Sequence, residues 1–352
     1  MKKINWWKNF NFFFRKDYLK VISNFDVKKN YIEILEKKIS KLLKVKHTVF
    51  TTSGSNALLL ALNSLPLKKK SKVLIPNRTW VATAHAVYNK NFKLKVVDVD
   101  PSTMNFDLSF EKLKNKELDA VIIVNLNGRN AKFDNKIKTS SLNLIEDCAQ
   151  SFLSFRGQNK LPNKVVSCYS TGVTKLLNTF QGGFCTTNNS NIYKKILLSR
   201  NHGVYDNFTD SWKFPGYNFK PTNLQCFIGI QELNDIWKKR SMCKKINELY
   251  VSKIKNNKIK IISTNYSKME FPLYTLALVN NKSKFINFMK KYKIQIRPLP
   301  PSISSAKYLV KENIFNKFKN SKIFSSKGVY LPCGPSQNLV DINKVIKIAN
   351  NY

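Results

Sequence analysis

Lys175 and Asp147 are the two residues whose setting could support covalent chemistry. Lys175 closes the run Cys168-Tyr169-Ser170-Thr171-Gly172-Val173-Thr174-Lys175, a β-type stretch that turns into a loop ahead of Gly182-Gly183. Asp147 ends an earlier apolar run, Leu144-Ile145-Glu146-Asp147, which continues into Cys148-Ala149-Gln150. A lysine amine on a loop behind one strand, with a carboxylate at the end of another, is the pair that pyridoxal phosphate chemistry needs. The amine bonds the cofactor aldehyde, and the carboxylate keeps the pyridine nitrogen protonated. Gln150 follows Asp147 at a spacing that would put both side chains on one face of a helical turn, addressing the same ring. Ser170, upstream of Lys175, offers a hydroxyl to a phosphate. In a lysine-rich chain Lys175 could be one more surface amine, but Thr171, Gly172, Thr179, Gly182 and Gly183 surround it with few charges.

Two further features point the same way. Thr52-Ser53-Gly54-Ser55-Asn56-Ala57 opens the apolar run Leu58-Leu59-Leu60-Ala61-Leu62. Small and hydroxyl residues at a helix start offer free backbone N–H groups and a positive dipole end to a phosphate, although the same residues also serve as an ordinary N-cap. Trp80 follows a strand ending at Pro76, where it could stack on a flat ring or fill the core. No GxxxxGK[ST] loop and no GxGxxG turn occurs, which argues against simple ATP or NAD binding.

The chain has 352 residues, of which 43% are hydrophobic, enough for two domains and a large core. No apolar run reaches the roughly 20 residues of a membrane span. The start, Met1 to Trp7, has a faint signal character. Lys8, Asn9, Asn11, Arg15 and Lys16 interrupt it, and no small-residue cleavage site follows, so it reads as an aromatic packing segment ahead of the alternative, a membrane-surface touch. The formal net charge is +40, yet only seven of the 61 basic residues are arginine and the lysines spread over the whole length. Nucleic-acid readers cluster their basic residues and favour arginine, so no nucleic-acid partner is expected. A positive field would still draw anionic ligands. The six cysteines form no CxxC pair, and His47, His85 and His202 lack zinc spacing. The expectation is a reduced cytoplasmic protein with buried thiols and no metal.

These residues need strands and helices to place them. Strands are expected over 72–76, 94–99, 120–126, 142–147, 165–170 and 183–187, with helices over 31–43, 55–65, 79–88 and 191–200 between or around them. Such alternation predicts an α/β fold with a mainly parallel sheet covered on both faces. Ligands in such sheets sit at the carboxyl ends of strands, where Asp147 falls. A long helix is expected over 228–256. Beyond it, strands over 258–262 and 271–279 and helices over 283–293 and 341–350 predict a smaller α+β domain containing the proline-rich turn Arg297 to Pro301, a candidate for shaping the substrate pocket. The division is a large domain over 1–235 and a small one over 236–352, with the first ~30 residues free to pack on either.

Taken in order, these segments resemble the DegT/StrS-type family of pyridoxal phosphate-dependent sugar aminotransferases. The resemblance rests on Ser53-Gly54-Ser55-Asn56-Ala57-Leu58, Thr79 to Ala84, Val97-Asp98-Val99-Asp100, Glu146 to Gln150, Ser170 to Lys175, Gln181-Gly182-Gly183, Arg200 to Gly203 and Gly216 to Phe219. It implies fold type I, with a seven-stranded-type sheet. It also implies that Lys175 attaches the cofactor, that Asp147 pairs with the pyridine nitrogen, and that Gln150 pairs with the ring hydroxyl. Trp80 would stack on the ring, and Gly54, Ser55 and Ser170, with Asn56 beside them, would hold the phosphate. Asn218 would reach the phosphate of a neighbouring subunit in a homodimer with shared sites. The implied reaction moves an amino group from an amino acid, glutamate by resemblance, to a keto group of a nucleotide-linked sugar bound for a surface polysaccharide. Two alternatives share the scaffold: a sugar dehydratase, a branch that typically carries histidine in place of the lysine, and a catalytically silent binding or regulatory homologue. The chain departs from the family where Gln181 stands for Glu, Asn125 and Asn127 for His and Tyr, and Lys220 for Arg.

Overall fold

Apolar strands alternating with helices build one sheet of seven strands in the computed structural model, which describes residues 2–8, 18–108, 117–133, 141–154, 165–206, 211–212, 214–309 and 318–352. The strands are β1 (His47–Thr51), β2 (Lys72–Pro76), β3 (Lys93–Val97), β5 (Ala120–Val124), β7 (Asn143–Asp147), β8 (Val165–Ser170) and β9 (Gly183–Thr187). Two short strands, β4 (Asp107–Leu108) and β6 (Lys132–Phe133), pair with each other in parallel. The sheet order is β1-β9-β8-β7-β5-β2-β3. Strands β3, β2, β5, β7 and β8 are parallel, and β9 runs antiparallel to both of its neighbours. Interior strand β5, Ala-Val-Ile-Ile-Val, is buried at every residue, as a strand covered on both faces requires.

Strands β2, β8 and β9 run between the residues expected from the sequence. Strand β1 was not expected; it completes the sheet beyond β9. The helix expected over 228–256 is two helices, Asn223–Asn234 and Ile236–Lys253. A Thr222–Gln225 capping box starts the first of them. Asp235, at φ −101° and ψ 6°, leaves the helical region and breaks the ladder between them.

The later part forms a second, antiparallel sheet of β10 (Ile259–Ile261), β11 (Leu276–Val279), β12 (Arg297–Pro298) and β13 (Gly328–Tyr330), in the order β10-β11-β13-β12. The strand expected from 271 begins only at Leu276, because the residues before it bond to the first sheet's loops. Phe271 N–H donates to Gly128 O at 3.0 Å. Gly128 has φ +71°, and a Cβ there would stand 1.5 Å from Phe271 O. Next to it, fully buried Arg129 donates from Nε and Nη2 to the carbonyls of Ser263 and Ile262 at 2.9 and 2.8 Å. Burial lowers the pKa of this guanidinium to about 10. Asp98, just past β3, accepts the N–H groups of Asn320 and Ser321 at 2.9 Å each, capping the Lys319–Lys327 helix from the other side of the molecule.

Residues 2–8 lie along the second sheet. Ile4 bridges to Ile294 and Trp7 to Cys333. The interrupting residues Asn9, Asn11, Arg15 and Lys16 lie outside the described residues. Among the described residues no helix is long and apolar enough to cross a membrane, and no group of metal-ligating side chains assembles. All six cysteines are free and buried.

Gly128→Ala should destabilise the protein by about 2 kcal/mol or more, since it adds both left-handed strain and a backbone clash. Urea unfolding monitored by circular dichroism checks this.

Candidate active site

Parallel strands place their carboxyl ends along one edge, and the loops leaving that edge enclose the cleft. Strand β2 delivers Thr79 and Trp80, β5 delivers Asn125 and Leu126, β7 delivers Asp147 and Gln150, and β8 delivers Ser170 and Lys175. The resulting cavity is about 320 Å³; the second sheet closes it with Tyr274, Arg297 and Tyr330, and Trp6 arrives from the N-terminal segment.

Asp147 is 6% exposed. Its Oδ1 accepts the Ala149 N–H at 3.1 Å, and its Oδ2 accepts the Thr83 hydroxyl at 2.7 Å. Because Thr83 spends its proton on the carboxylate, the Thr79 hydroxyl, 2.8 Å away, donates to Thr83 in turn. Burial pushes the Asp147 pKa up, while Thr83, the Ala149 amide and Lys175 oppose that shift.

Lys175 sits on a tight turn. Its N–H donates to Gly172 O at 2.9 Å, while Thr171 N–H reaches Gly182 O at 2.9 Å and Thr179 N–H reaches Thr171 O at 2.8 Å. Gly182 has φ +146°, and a Cβ there would lie 2.5 Å from the Thr171 hydroxyl. Burial lowers the Lys175 pKa from 10.5 to about 8; Arg297 adds to the fall and Asp147 resists it. An amine with this pKa is partly neutral, hence nucleophilic, near physiological pH.

Gln150 Oε1 accepts the Asn127 N–H at 3.0 Å. A backbone N–H can only donate, so the oxygen must face Asn127 and the amide NH₂ is left for the cleft. Across the cleft Ser53 caps the Gly54–Ser64 helix by accepting the Asn56 N–H at 3.1 Å. The first amides of that helix have no preceding turn to bond. A Cβ on Gly54 would stand 2.7 Å from Ser170 Cβ, and one on Gly183 would stand 2.5 Å from Gly54 N. These two glycines therefore let the helix start lie directly against Ser170.

Of the residues singled out from sequence, Gly54, Ser55, Trp80, Asp147, Gln150, Ser170 and Lys175 line this one cavity. Trp80 is 52% exposed at the start of the Val81–Asn89 helix, so it is not a core tryptophan. Asn56 does not line the cavity; its side-chain amide donates to Thr52 Oγ1 at 2.8 Å. Asn218 also lies outside the lining, bridged to Asn201. Sequence reasoning missed Thr83, Tyr274, Tyr330 and the role of Trp6, and it marked the Arg297 to Pro301 loop only as a shaper of the substrate pocket, with no role for Arg297 itself. The i, i+4 spacing of Thr79 and Thr83 was the one available signal for that hydroxyl pair; the others come from distant segments.

The donor set fits pyridoxal 5'-phosphate. A helix N-terminus and a serine hydroxyl suit its phosphate, a buried carboxylate its ring nitrogen, an amide donor its ring hydroxyl, and a depressed amine its aldehyde.

The chain belongs to the DegT/DnrJ/EryC1/StrS aminotransferase family, whose model matches residues 20–349. Among curated relatives, a GDP-4-keto-6-deoxy-D-mannose 3-dehydratase of Escherichia coli O55:H7 is 29% identical over 64% of this chain and 66% of the relative, just under two thirds of its length. The alignment to a GDP-perosamine synthase of Vibrio cholerae is longer, at 25% identity over 92% of this chain and 90% of the relative. The fold is that of solved family members: a Helicobacter pylori aminotransferase involved in pseudaminic acid biosynthesis superposes with a TM-score of 0.87 at 20% identity, covering 99% of both chains.

In the full-length chain, acetylation of Lys175 by trace acetic anhydride, read by peptide mass spectrometry against an internal amine standard, should rise with pH around a midpoint of about 8. Only the neutral amine reacts, so lowering its pKa moves the rise to lower pH. A midpoint in the ordinary lysine range would contradict the desolvated setting.

Proposed function

We propose that the protein is a pyridoxal phosphate-dependent aminotransferase. It moves an amino group from an amino acid, L-glutamate by family resemblance, to a keto group of a nucleotide-linked sugar for aminosugar synthesis. The observation that carries this reading is the joining of Lys175, with its depressed pKa, and buried, doubly hydrogen-bonded Asp147 in one cleft beside a helix N-terminus. The named relatives, a synthase of an aminosugar nucleotide among them, support the substrate class.

The bound cofactor would supply an electron sink for negative charge developing on the carbon next to the amine nitrogen. Each side chain then has a definite task. Ser170 and the amides at Gly54 and Ser55 hold the phosphate. Asp147 keeps a proton on the ring nitrogen, an arrangement its two donors favour by keeping the carboxylate ionised. Gln150 donates its NH₂ to the ring hydroxyl, and Trp80 covers the ring and excludes water. Lys175 would hold the cofactor between turnovers; once displaced, its Nζ would take a proton from the donor Cα as base and deliver it, as acid, to the cofactor carbon that had carried the aldehyde.

The working unit we propose is a homodimer in the cytoplasm. Asn218, outside the cleft of its own chain, would serve the phosphate site of the second copy. Exposed Trp80 and Val173 near the cleft offer apolar surface for that copy to cover. The break at Asp235 is the proposed boundary between a large domain over 1–235 and a small one over 236–352.

The similarity to a dehydratase makes loss of a sugar hydroxyl the second reading. Lys175 opposes it, because that branch typically carries histidine in its place. Incubating the protein with L-glutamate and a nucleotide-linked 4-keto sugar, followed by mass spectrometry, should show a keto oxygen exchanged for an amine. Loss of a hydroxyl would favour the dehydratase. Lys175→Ala should abolish amine transfer without lowering the unfolding temperature; an active Lys175→Ala protein would sink the mechanism.

A further inference from the structure

Asn127 stands where the family commonly has tyrosine, and its backbone is left-handed, at φ 54° and ψ 38°. Asparagine tolerates this region better than most residues. The conformation turns its amide onto the main chain of Tyr274. Tyr274 N–H donates to Asn127 Oδ1 at 2.6 Å, and Asn127 Nδ2 donates to Tyr274 O at 2.7 Å. The side chain thus grips one residue of the segment leading into the second sheet at both its backbone groups, much as a neighbouring strand would. All three residues of the 126–128 turn are buried, and the Asn127 N–H holds Gln150.

The Tyr274 ring points from this grip into the cleft. Its hydroxyl donates to Thr174 O at 3.0 Å and lies 3.2 Å from Thr174 Oγ1. Thr174 is the residue immediately before Lys175. A continuous path of short hydrogen bonds therefore runs from Gln150 through Asn127 and Tyr274 to the peptide that carries the reacting amine.

We propose that Asn127 and Tyr274 form a positioning device for Lys175. The clamp ties the second sheet to the lysine turn and holds the amine in its desolvated place. The inference rests on the reading of Lys175 as the reacting amine, and it gives a role to one of this chain's departures from the family pattern. Loss of the Tyr274 hydroxyl frees the Thr174 carbonyl, opens the turn, and lets water reach Nζ. Hydration favours the charged amine.

The charged groups acting on Lys175 are Asp147 from β7 and Arg297 from β12. The phenols of Tyr274 and Tyr330 also line the cleft, and burial pushes both pKa values up, so both are neutral near pH 8. Tyr274→Phe consequently removes no charge, and any shift it causes reports on the position of the amine.

The test is the pH profile of acetic anhydride labelling at Lys175 in the full chain, paired with the unfolding temperature. Tyr274→Phe should keep the unfolding temperature close to wild type and raise the midpoint by about 0.5 pH unit or more. Asn127→Gly, which retains the positive φ and deletes the clamp, should shift it the same way. The double variant should shift it no further than the larger single change. A folded Tyr274→Phe protein with the wild-type midpoint overturns the proposal, whatever Asn127→Gly does. The readout needs no cofactor, so this result would leave the aminotransferase reading standing; failure of that reading would appear instead as amine transfer by Lys175→Ala.

Discussion

A lysine amine must lose its water to become a nucleophile near neutral pH, and the carboxylate that shares its cleft pulls the other way. Desolvation drives Lys175 down to about 8, and Asp147 holds it from falling further. Asp147 has the mirror problem: burial favours its neutral form, and two donors and one amine are arrayed to keep it ionised. Much of the surrounding structure serves this balance. The Thr79–Thr83 pair exists on the Asp147 side and the Thr171–Gly182 turn on the Lys175 side, so that neither group can escape to solvent or collapse onto the other.

That balance requires a closed cleft, and a single parallel sheet cannot close one. Its loops supply a floor and one wall. The second sheet supplies the other wall and is fastened by contacts to backbone groups that include Gly128 to Phe271, Asn127 to Tyr274, Arg129 to Ile262 and Ser263, and Asp98 to the start of the Lys319–Lys327 helix. The N-terminal segment adds a further cover. Trp6 lies under the Arg297 guanidinium, 4.4 Å from it to the ring centroid, and its ring meets those of Tyr274 and Tyr330. Arg297 is thereby held at the cleft as a second cation beside Lys175.

The sequence was most legible where local pattern and chemistry coincide. The apolar run ending in Asp147 marked a strand and the small residues before Leu58 marked the start of the Gly54–Ser64 helix, and both elements face one cleft at the carboxyl ends of the parallel strands. Strand β1 was harder: His47-Thr48-Val49-Phe50-Thr51 is short, and its partner β9 lies far along the chain. The break at Asp235 was hidden in a lysine-rich helical pattern that continues on both sides of it. Tyr274 and Trp6 had no local signal, and Arg297 had only the proline-rich turn it opens, since each gains its place through the docking of distant segments. Asn127 is the instructive case. Sequence marked it as a departure from the family, and only its left-handed backbone and its two bonds to Tyr274 give that departure a physical meaning.

The visible absorption spectrum of the purified protein with pyridoxal phosphate, recorded before and after addition of L-glutamate, tests the central claim most directly. The account predicts a visible band that is absent in Lys175→Ala and that glutamate bleaches to shorter wavelength as the cofactor takes up the amine. A wild-type protein that binds the cofactor with no visible band would contradict the assignment of Lys175 as the residue that holds it.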